Sequence, residues 1–293
     1  MEHPKILTGG FSGDIIILLP PSILRLYKNN HDSRHIVLLK ALGDMGIAPQ
    51  IYHDFSTGHI EEYLNGAPLS ITDSEEMFFH VAHALAQLHA VPLSLVPTVR
   101  VWDPWTELDK RIENLRDVAI TSSGTIVNGS IVDGSAPSVA NNFFLDEAAA
   151  EIESLHSLLQ PLLDADSAQS CLSHNDLFRG NIIRCGDGVR LIDWEMTAVF
   201  HPLYDAANFF CECCIGMNLN YDMCRFPSPE RQAEFIRICL GRYPTVCDTY
   251  VCSLFILLSH LYWAVSGVDG VPEYAPMRFV QYRKCKASLA QPI

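Results

Sequence analysis

Residues 171–195 read CLSHNDLFRGNIIRCGDGVRLIDWE. Asn181 follows Asp176 by five positions, and Asp193 follows Asp176 by seventeen. Between them, NIIRCGDGVRLID has the form of a β-hairpin: an apolar run, a Cys-Gly-Asp-Gly turn and a second apolar run. Such a hairpin carries Asp193 back toward Asn181. Polar residues at strand ends commonly serve turns through their own backbone, so an isolated His-x-Asp means little. The joint pattern is more specific: His-Asn-Asp, Gly-Asn a few residues on, then Leu-Ile-Asp-Trp-Glu.

An aspartate with an asparagine five residues later has the spacing of a kinase catalytic loop. There the aspartate accepts the proton of the attacking hydroxyl and the asparagine holds magnesium. Asp193 is then placed as a second carboxylate, able to bridge Mg2+ to the phosphates of ATP. With those roles filled, His174 reads as a structural hydrogen-bonding residue rather than a general base. The expectation is phosphoryl transfer from ATP.

Working outward, residues 14–27 read as strand, Pro20-Pro21 turn and strand. SRHIVLLKALGDMG, residues 33–46, has helical periodicity ending at glycine, and PQIYHDFSTGHIEEYL gives two β-rich runs about a Ser-Thr-Gly turn. A helix is expected over 73–90, with Asp73 as its cap and Glu76 three residues later. The Ser/Gly/Asn-rich stretch 119–142 reads as a loop, and residues 145–163 as a helix. Short strands follow in 171–195, and most of the chain after Asp205 reads as helix. Strands come first and helices later, so the class is α+β in two lobes.

Composition narrows the function. Hydrophobic residues make up 48% and charged residues 18% of the 293, as in a folded protein with a substantial core. Lysine and arginine number 20 against 34 acidic residues, a formal net charge of −14. That balance repels nucleic acid and anionic membrane, and is compatible with a cationic substrate. The N-terminal MEHPKILTGG lacks the basic and apolar regions of a secretory signal, so the sequon at Asn128 carries no weight. The ten cysteines are scattered in a manner that suits reduced thiols in the cytoplasm. Cys211, Cys213, Cys214 and Cys224 lack the paired C-x-x-C knuckles of a zinc site. Residues 249–268 are long enough for a bilayer span, but Ser253, Ser259 and His260 sit within them, and a buried helix is expected instead.

SHNDLFRGNII and LIDWE resemble the choline/ethanolamine kinase family and its aminoglycoside phosphotransferase relatives, which share a protein-kinase-like fold. The likeness extends along most of the chain. LTGGFSGDIIIL resembles the family's nucleotide loop, ILRLY its third strand, and GIAPQIY with GHIEEYLNGAPL its linker and hinge. YDAANFFCE resembles the helix start that follows the metal carboxylate, and SHLYWAV with PEYAPMRF the C-terminal helices. These later segments favour the amino-alcohol kinases over the antibiotic kinases.

The resemblance implies a small β-rich N-lobe, residues 1–64, and a larger mainly helical C-lobe, residues 65–293. It implies Asp176 as catalytic base and Asn181 and Asp193 as Mg2+ ligands. Arg25 would meet the ATP phosphates, with Gly9, Gly10 and Ser12 lying over them. Backbone groups of Glu62 and Leu64 would hold the adenine. No G-x-x-x-x-G-K-[ST] occurs, which excludes a Walker-type site. No A-P-E-type segment follows Asp193, which argues against a protein kinase. One departure stands out. Kinase-like folds pair the basic phosphate ligand with a helix glutamate, and SRHIVLLKAL contains no acid.

The substrate implied is a small cationic amino alcohol, held by Glu212, Trp263 and Tyr274. Choline-type kinases carry a second tryptophan where this chain has Ser266, and aromatics where it has Cys213, Cys214 and Ile215. The aromatic cage is therefore incomplete, and CIGMNLNYDMCRFPSPERQ is more similar to ethanolamine kinases, so the reading leans to ethanolamine. Tyr204 or Tyr221 could complete a cage. The alternatives are another small-molecule kinase of this fold, acting on an aminoglycoside or thiamine, and an inactive nucleotide- or headgroup-binding module. No nucleic-acid partner and no membrane span are expected; the oligomeric state is left open, a homodimer included.

Overall fold

The computed structural model describes residues 5–7, 15–19, 21–27, 33–123, 139–165, 169–186, 188–216, 219–268 and 273–289. The nucleotide-loop residues Gly9, Gly10 and Ser12 and the centre of the 119–142 stretch lie outside them. Two compact units can be distinguished, the first comprising Met1–Val101, Gln169–Cys213 and Pro227–Pro244 and the second the remainder.

In the first unit, β1 (Lys5–Leu7), β2 (Ile15–Leu19), β3 (Ser22–Leu26), β4 (Ile51–Phe55) and β5 (Gly58–Glu62) form an antiparallel sheet in the order β1-β2-β3-β5-β4. Arg25 on β3 stands opposite His59 on β5. The two strands close tightly there: a Cβ built on Gly58 would lie 2.2 Å from the carbonyl oxygen of Arg25, so only glycine fits. Helix α1 (Ser33–Asp44) joins β3 to β4 and buries Leu38, Leu39 and Leu42.

The helix expected over 73–90 is interrupted. It forms as α2 (Asp73–Glu76) and α3 (Phe78–His89), with Met77 between them. Asp73 does not cap it. Ser70 Oγ accepts from Asp73 N–H at 3.1 Å while Asp73 Oδ2 accepts from Ser70 N–H at 2.9 Å, so the reciprocal box starts three residues earlier. Arg184 then bridges Asp73 and Glu76, which ties this first turn to the hairpin of the opening sequence.

That hairpin is present. β6 (Ala67–Pro68), β8 (Ile182–Cys185) and β9 (Gly188–Leu191) form one small antiparallel sheet, with Ile182 opposite Leu191. β7 (Cys171–Ser173) pairs with β10 (Ala198–Phe200). Helices α6 (Pro202–Cys213) and α7 (Pro229–Leu240) complete the unit. Its core is aromatic: Phe78 packs against Phe209, Phe210 and Phe235, with ring centroids 4.9 to 6.0 Å apart. Ser228 caps α7, Pro229 opens it, and Gly241 closes it at φ 66°.

The second unit is built of α4 (Pro104–Ser123), α5 (Val139–Ala165), α8 (Val246–Ser266) and α9 (Tyr274–Leu289). The loop read at 119–142 is thus shorter than expected, because α4 runs to Ser123 and α5 starts at Val139, six residues before the expected 145. Ser and Asn have weak intrinsic helix preference, but they continue helices whose packed faces are already set. Helix α8 starts on a capping box, Thr245 with Asp248. It is long and apolar enough to cross a bilayer, yet most of it is buried in protein, with Phe255, Leu258 and Leu261 fully enclosed.

Helix α8 also buries a histidine. His260 is fully enclosed, its Nε2 3.4 Å from the Tyr221 hydroxyl. Burial and the nearby charge of Arg278 push its pKa well below the ordinary value. The ring is therefore neutral in the folded protein and titrates normally once unfolded. Its contribution to stability is complete above about pH 6.5 and shrinks as pH falls below that, by up to about 1.4 kcal/mol per pH unit. Chemical denaturation at pH 7.5 and 5.5 should show this loss, and His260→Gln should reduce the slope by about one proton. An identical slope in the variant would exclude His260 as its source.

Candidate active site

The segment His174–Asn181 links β7 to β8, and buried side chains hold it from several directions. Asp205, fully buried on α6, accepts from His174 N–H at 3.0 Å and His89 Nε2 at 2.9 Å through Oδ2, and from Asn175 N–H at 2.8 Å through Oδ1. One turn later, Asn208 Oδ1 accepts from Leu177 N–H at 2.8 Å. The Asn175 amide donates to the Met196 carbonyl at 3.0 Å. These bonds fix the backbone on both sides of Asp176, whose own side chain is half-buried.

His174 couples this segment to the one carrying Asp193. Its Nε2 donates to the carbonyl of Ile192 at 3.0 Å, and its Nδ1 accepts from Asp176 N–H at 3.4 Å. Burial depresses its pKa, so it is neutral with the proton on Nε2. Both nitrogens are engaged, in keeping with the structural role read from the sequence.

Asn181 donates through Nδ2 to the backbone oxygen and to Oδ2 of Asp176, both at 3.0 Å. Its backbone carbonyl accepts from Ile192 N–H at 2.9 Å. The hairpin thus brings the residue before Asp193 into direct contact with Asn181. Asp193 has φ 65° and Asn175 φ 67°, a left-handed conformation uncommon outside glycine. Such residues persist where the surroundings over-determine them, often at functional sites.

A cleft of about 310 Å3 opens within the first unit. Arg25, Glu62, Leu64 and Asp193, each expected from sequence at the nucleotide site, line it together with apolar Ile23, Leu39, Ile183 and Ile192. Leu64 lies beyond the end of β5, and its N–H makes no backbone hydrogen bond among the described residues. Glu62 is anchored: its N–H donates to Gln50 O at 2.8 Å, and its carboxylate accepts from Gln50 N–H at 3.1 Å and lies 3.4 Å from Arg190. Glu61 points to Arg25, with Oε1 3.4 Å from Nη2, and its Oε2 is 3.1 Å from His59 Nε2. Burial alone would raise its pKa, but the His59 hydrogen bond and the Arg25 charge outweigh it and hold the carboxyl below the usual glutamate range.

The residues read as substrate contacts fall in both units. Glu212 is buried near the end of α6 in the first. In the second, Trp263 and Tyr274 both approach Gly267. Gly267 N–H donates to Trp263 O at 3.0 Å, and a Cβ on Gly267 would lie 3.0 Å from the Tyr274 ring. The guanidinium of Arg278 stands 5.4 Å over the Tyr274 ring. Tyr204 is fully buried edge-on to Phe200, whereas Tyr221 is half-buried beside His260.

Asp205, Asn208 and Glu61 were assigned no part in the site from sequence. The signal for the first two was two polar residues three apart in the apolar PLYDAANFFCEC, since buried polar groups must find partners. Asp205→Asn should destabilise the protein by at least about 2 kcal/mol, because an amide NH2 would face an N–H donor. It should also speed amide exchange at His174 and Asn175. Asn208→Ala strands one N–H and should cost about 1 kcal/mol. Denaturant unfolding and hydrogen exchange measure both, and unchanged protection at 174–175 in Asp205→Asn would contradict the arrangement.

Residues 20–289 match the family model described as choline/ethanolamine kinase. A probable choline kinase 2 of Arabidopsis thaliana is 26% identical over 273 residues, covering 83% of this chain and 70% of the relative. Ethanolamine kinase 1 of Mus musculus is 25% identical over 298 residues, covering 90% and 77%. The crystal structure of a choline kinase from Cryptosporidium parvum Iowa II matches over 98% of this chain and 89% of its own, with a TM-score of 0.75 at 22% identity. That likeness shows the fold to be the protein-kinase-like α+β arrangement expected from sequence. With nearly its whole length matched, the chain belongs to the choline/ethanolamine kinase family, phosphotransferases that act on an alcohol.

Proposed function

We propose that the protein phosphorylates the hydroxyl of a small amino alcohol with ATP and Mg2+, as a cytoplasmic step toward phospholipid headgroups. The observation that carries this reading is the cleft that gathers Arg25, Glu62, Leu64 and Asp193, with Asp193 next to a residue bonded to Asn181 and Asn181 bonded to Asp176. Adenine sits at the backbone of Glu62 and Leu64, where the Leu64 N–H offers a donor. Arg25 meets the phosphates and keeps its charge at every physiological pH.

The donor set suits a hard divalent cation. Asn181 spends its amide nitrogen on Asp176, so its side-chain oxygen and the carboxylate of Asp193 are the oxygen ligands that would hold Mg2+. When bound, the metal supplies positive charge that offsets the charge of the phosphates. Asp176 orients the substrate hydroxyl and takes its proton as the new O–P bond forms and the bond to the ADP oxygen breaks. The Asn181 amide holds the Asp176 carboxylate for that task.

Glu212 as counter-charge and Trp263 and Tyr274 as aromatic contacts rest on the sequence resemblance. Ethanolamine is favoured over choline by one further observation. The Tyr274 ring already carries the chain's own cation, Arg278, whereas a quaternary ammonium depends on free aromatic faces.

ADP release with Mg-ATP and, in turn, ethanolamine, choline, thiamine and kanamycin tests the reading. Turnover is expected with ethanolamine, with choline slower. Mg-ATP binding without turnover on any of them would replace the amino-alcohol reading with a different substrate or a binding module. Asp176→Ala should reduce turnover by at least about a thousandfold with ATP affinity nearly unchanged. Asp193→Ala should weaken Mg-ATP binding as well, and normal Mg-ATP affinity in that variant would remove its role as metal ligand.

A further inference from the structure

Helix α1 carries no acid except Asp44 at its last position, and that side chain accepts from Gln50 Nε2 at 3.0 Å. A carboxylate from the sheet, Glu61, meets Arg25 instead. Arg25 pairs in register with His59, and side chains two apart on a strand share a face, so Arg25, His59 and Glu61 stand on one face of β3 and β5, with Tyr27 one residue past the end of β3. All four line the cleft. They form a chain of contacts: the Tyr27 hydroxyl 2.5 Å from His59 Nδ1, His59 Nε2 3.1 Å from Glu61 Oε2, and Glu61 Oε1 3.4 Å from Arg25 Nη2. His59 and Glu61 are 1% and 7% exposed, so the carboxylate is held at both oxygens in a nearly closed setting.

We propose that Glu61 is the positioning residue for Arg25, holding the guanidinium where the nucleotide phosphates arrive, with His59 holding Glu61 in turn. The inference rests on the reading that Arg25 binds those phosphates. An arginine side chain loses much rotamer freedom on binding, and a contact that orders it beforehand removes that cost from the binding step. A carboxylate near the phosphates also repels them. Removing it would strengthen ATP binding if charge alone mattered, and would weaken ATP binding if its task is to place Arg25.

The test compares Mg-ATP with adenosine, which lacks phosphates, by titration calorimetry on the parent, Arg25→Ala, Glu61→Gln and the double variant. Glu61→Gln should raise the Kd for Mg-ATP about tenfold with adenosine affinity unchanged, and should add less than twofold on the Arg25→Ala background. Glu61→Asp should recover part of the loss. ATP affinity that is unchanged or tighter in Glu61→Gln, with Arg25→Ala weakened, overturns the positioning role alone. Unchanged ATP affinity in Arg25→Ala overturns the phosphate reading itself. A loss that falls equally on adenosine, or that persists in full without Arg25, marks Glu61 as merely structural. Should Glu61→Gln fail to fold, His59→Gln carries the same comparison with an expected loss of about threefold, and no loss there counts against the proposal.

Discussion

The Asp205 carboxylate accepts from His174, Asn175 and His89 while fully buried, and the geometry of the loop depends on that convergence. Main-chain donors turned inward at a bend would each cost about 1–3 kcal/mol without an acceptor. A charged acceptor on a packed helix removes that cost for several donors at once and sets their direction. Asn208 extends the same device by one helical turn to Leu177. Asp176 sits in the gap between the anchored residues, so its backbone is fixed while its carboxylate remains half-exposed.

The left-handed backbone at Asn175 and Asp193 follows from the same constraint. Each residue must turn its chain sharply at the end of a short run without a glycine. Asparagine and aspartate tolerate that conformation better than other side chains, at a cost of order 1 kcal/mol. Asn175 is held by its N–H on Asp205 and its amide on Met196. The stretch leading to Asp193 is held by Ile192, which accepts from His174 through its oxygen and donates to Asn181 through its nitrogen. His174 is the common member: its Nε2 reaches the segment of Asp193, while its Nδ1 accepts from Asp176 N–H within its own.

Much of this was legible in the sequence because the elements are local. The β8–β9 hairpin follows from two apolar runs about a glycine-containing turn, and the Asp176–Asn181 spacing survives as a direct hydrogen bond. The break at Met77 was not legible: the capping box used Ser70 with Asp73, one of several polar pairs in ITDSEE and its neighbours. Helix extent around 119–142 was misjudged because composition governs intrinsic preference while packing governs where a helix ends. The partners of Asp205 and Glu61 were hidden for a simpler reason. Asp205 and His89 lie 116 positions apart, and Glu61 and Arg25 36, distances at which spacing rules carry no information.

The Arg25–Glu61 contact has one property that a strand–helix pair lacks. Residues on hydrogen-bonded neighbouring strands are kept at a separation set by the ladder, and changing it requires breaking the sheet. A helix can slide or rotate against a sheet at much smaller cost, which is how an acid on a helix can be withdrawn from its basic partner. With the acid on β5 and tightened by Gly58, the basic group is organised by the same hydrogen bonds that build the sheet. Helix α1 lends His35 and Leu39 to the cleft wall but need not supply that acid, in keeping with a sequence that buries Leu38, Leu39 and Leu42 and carries no acid before Asp44.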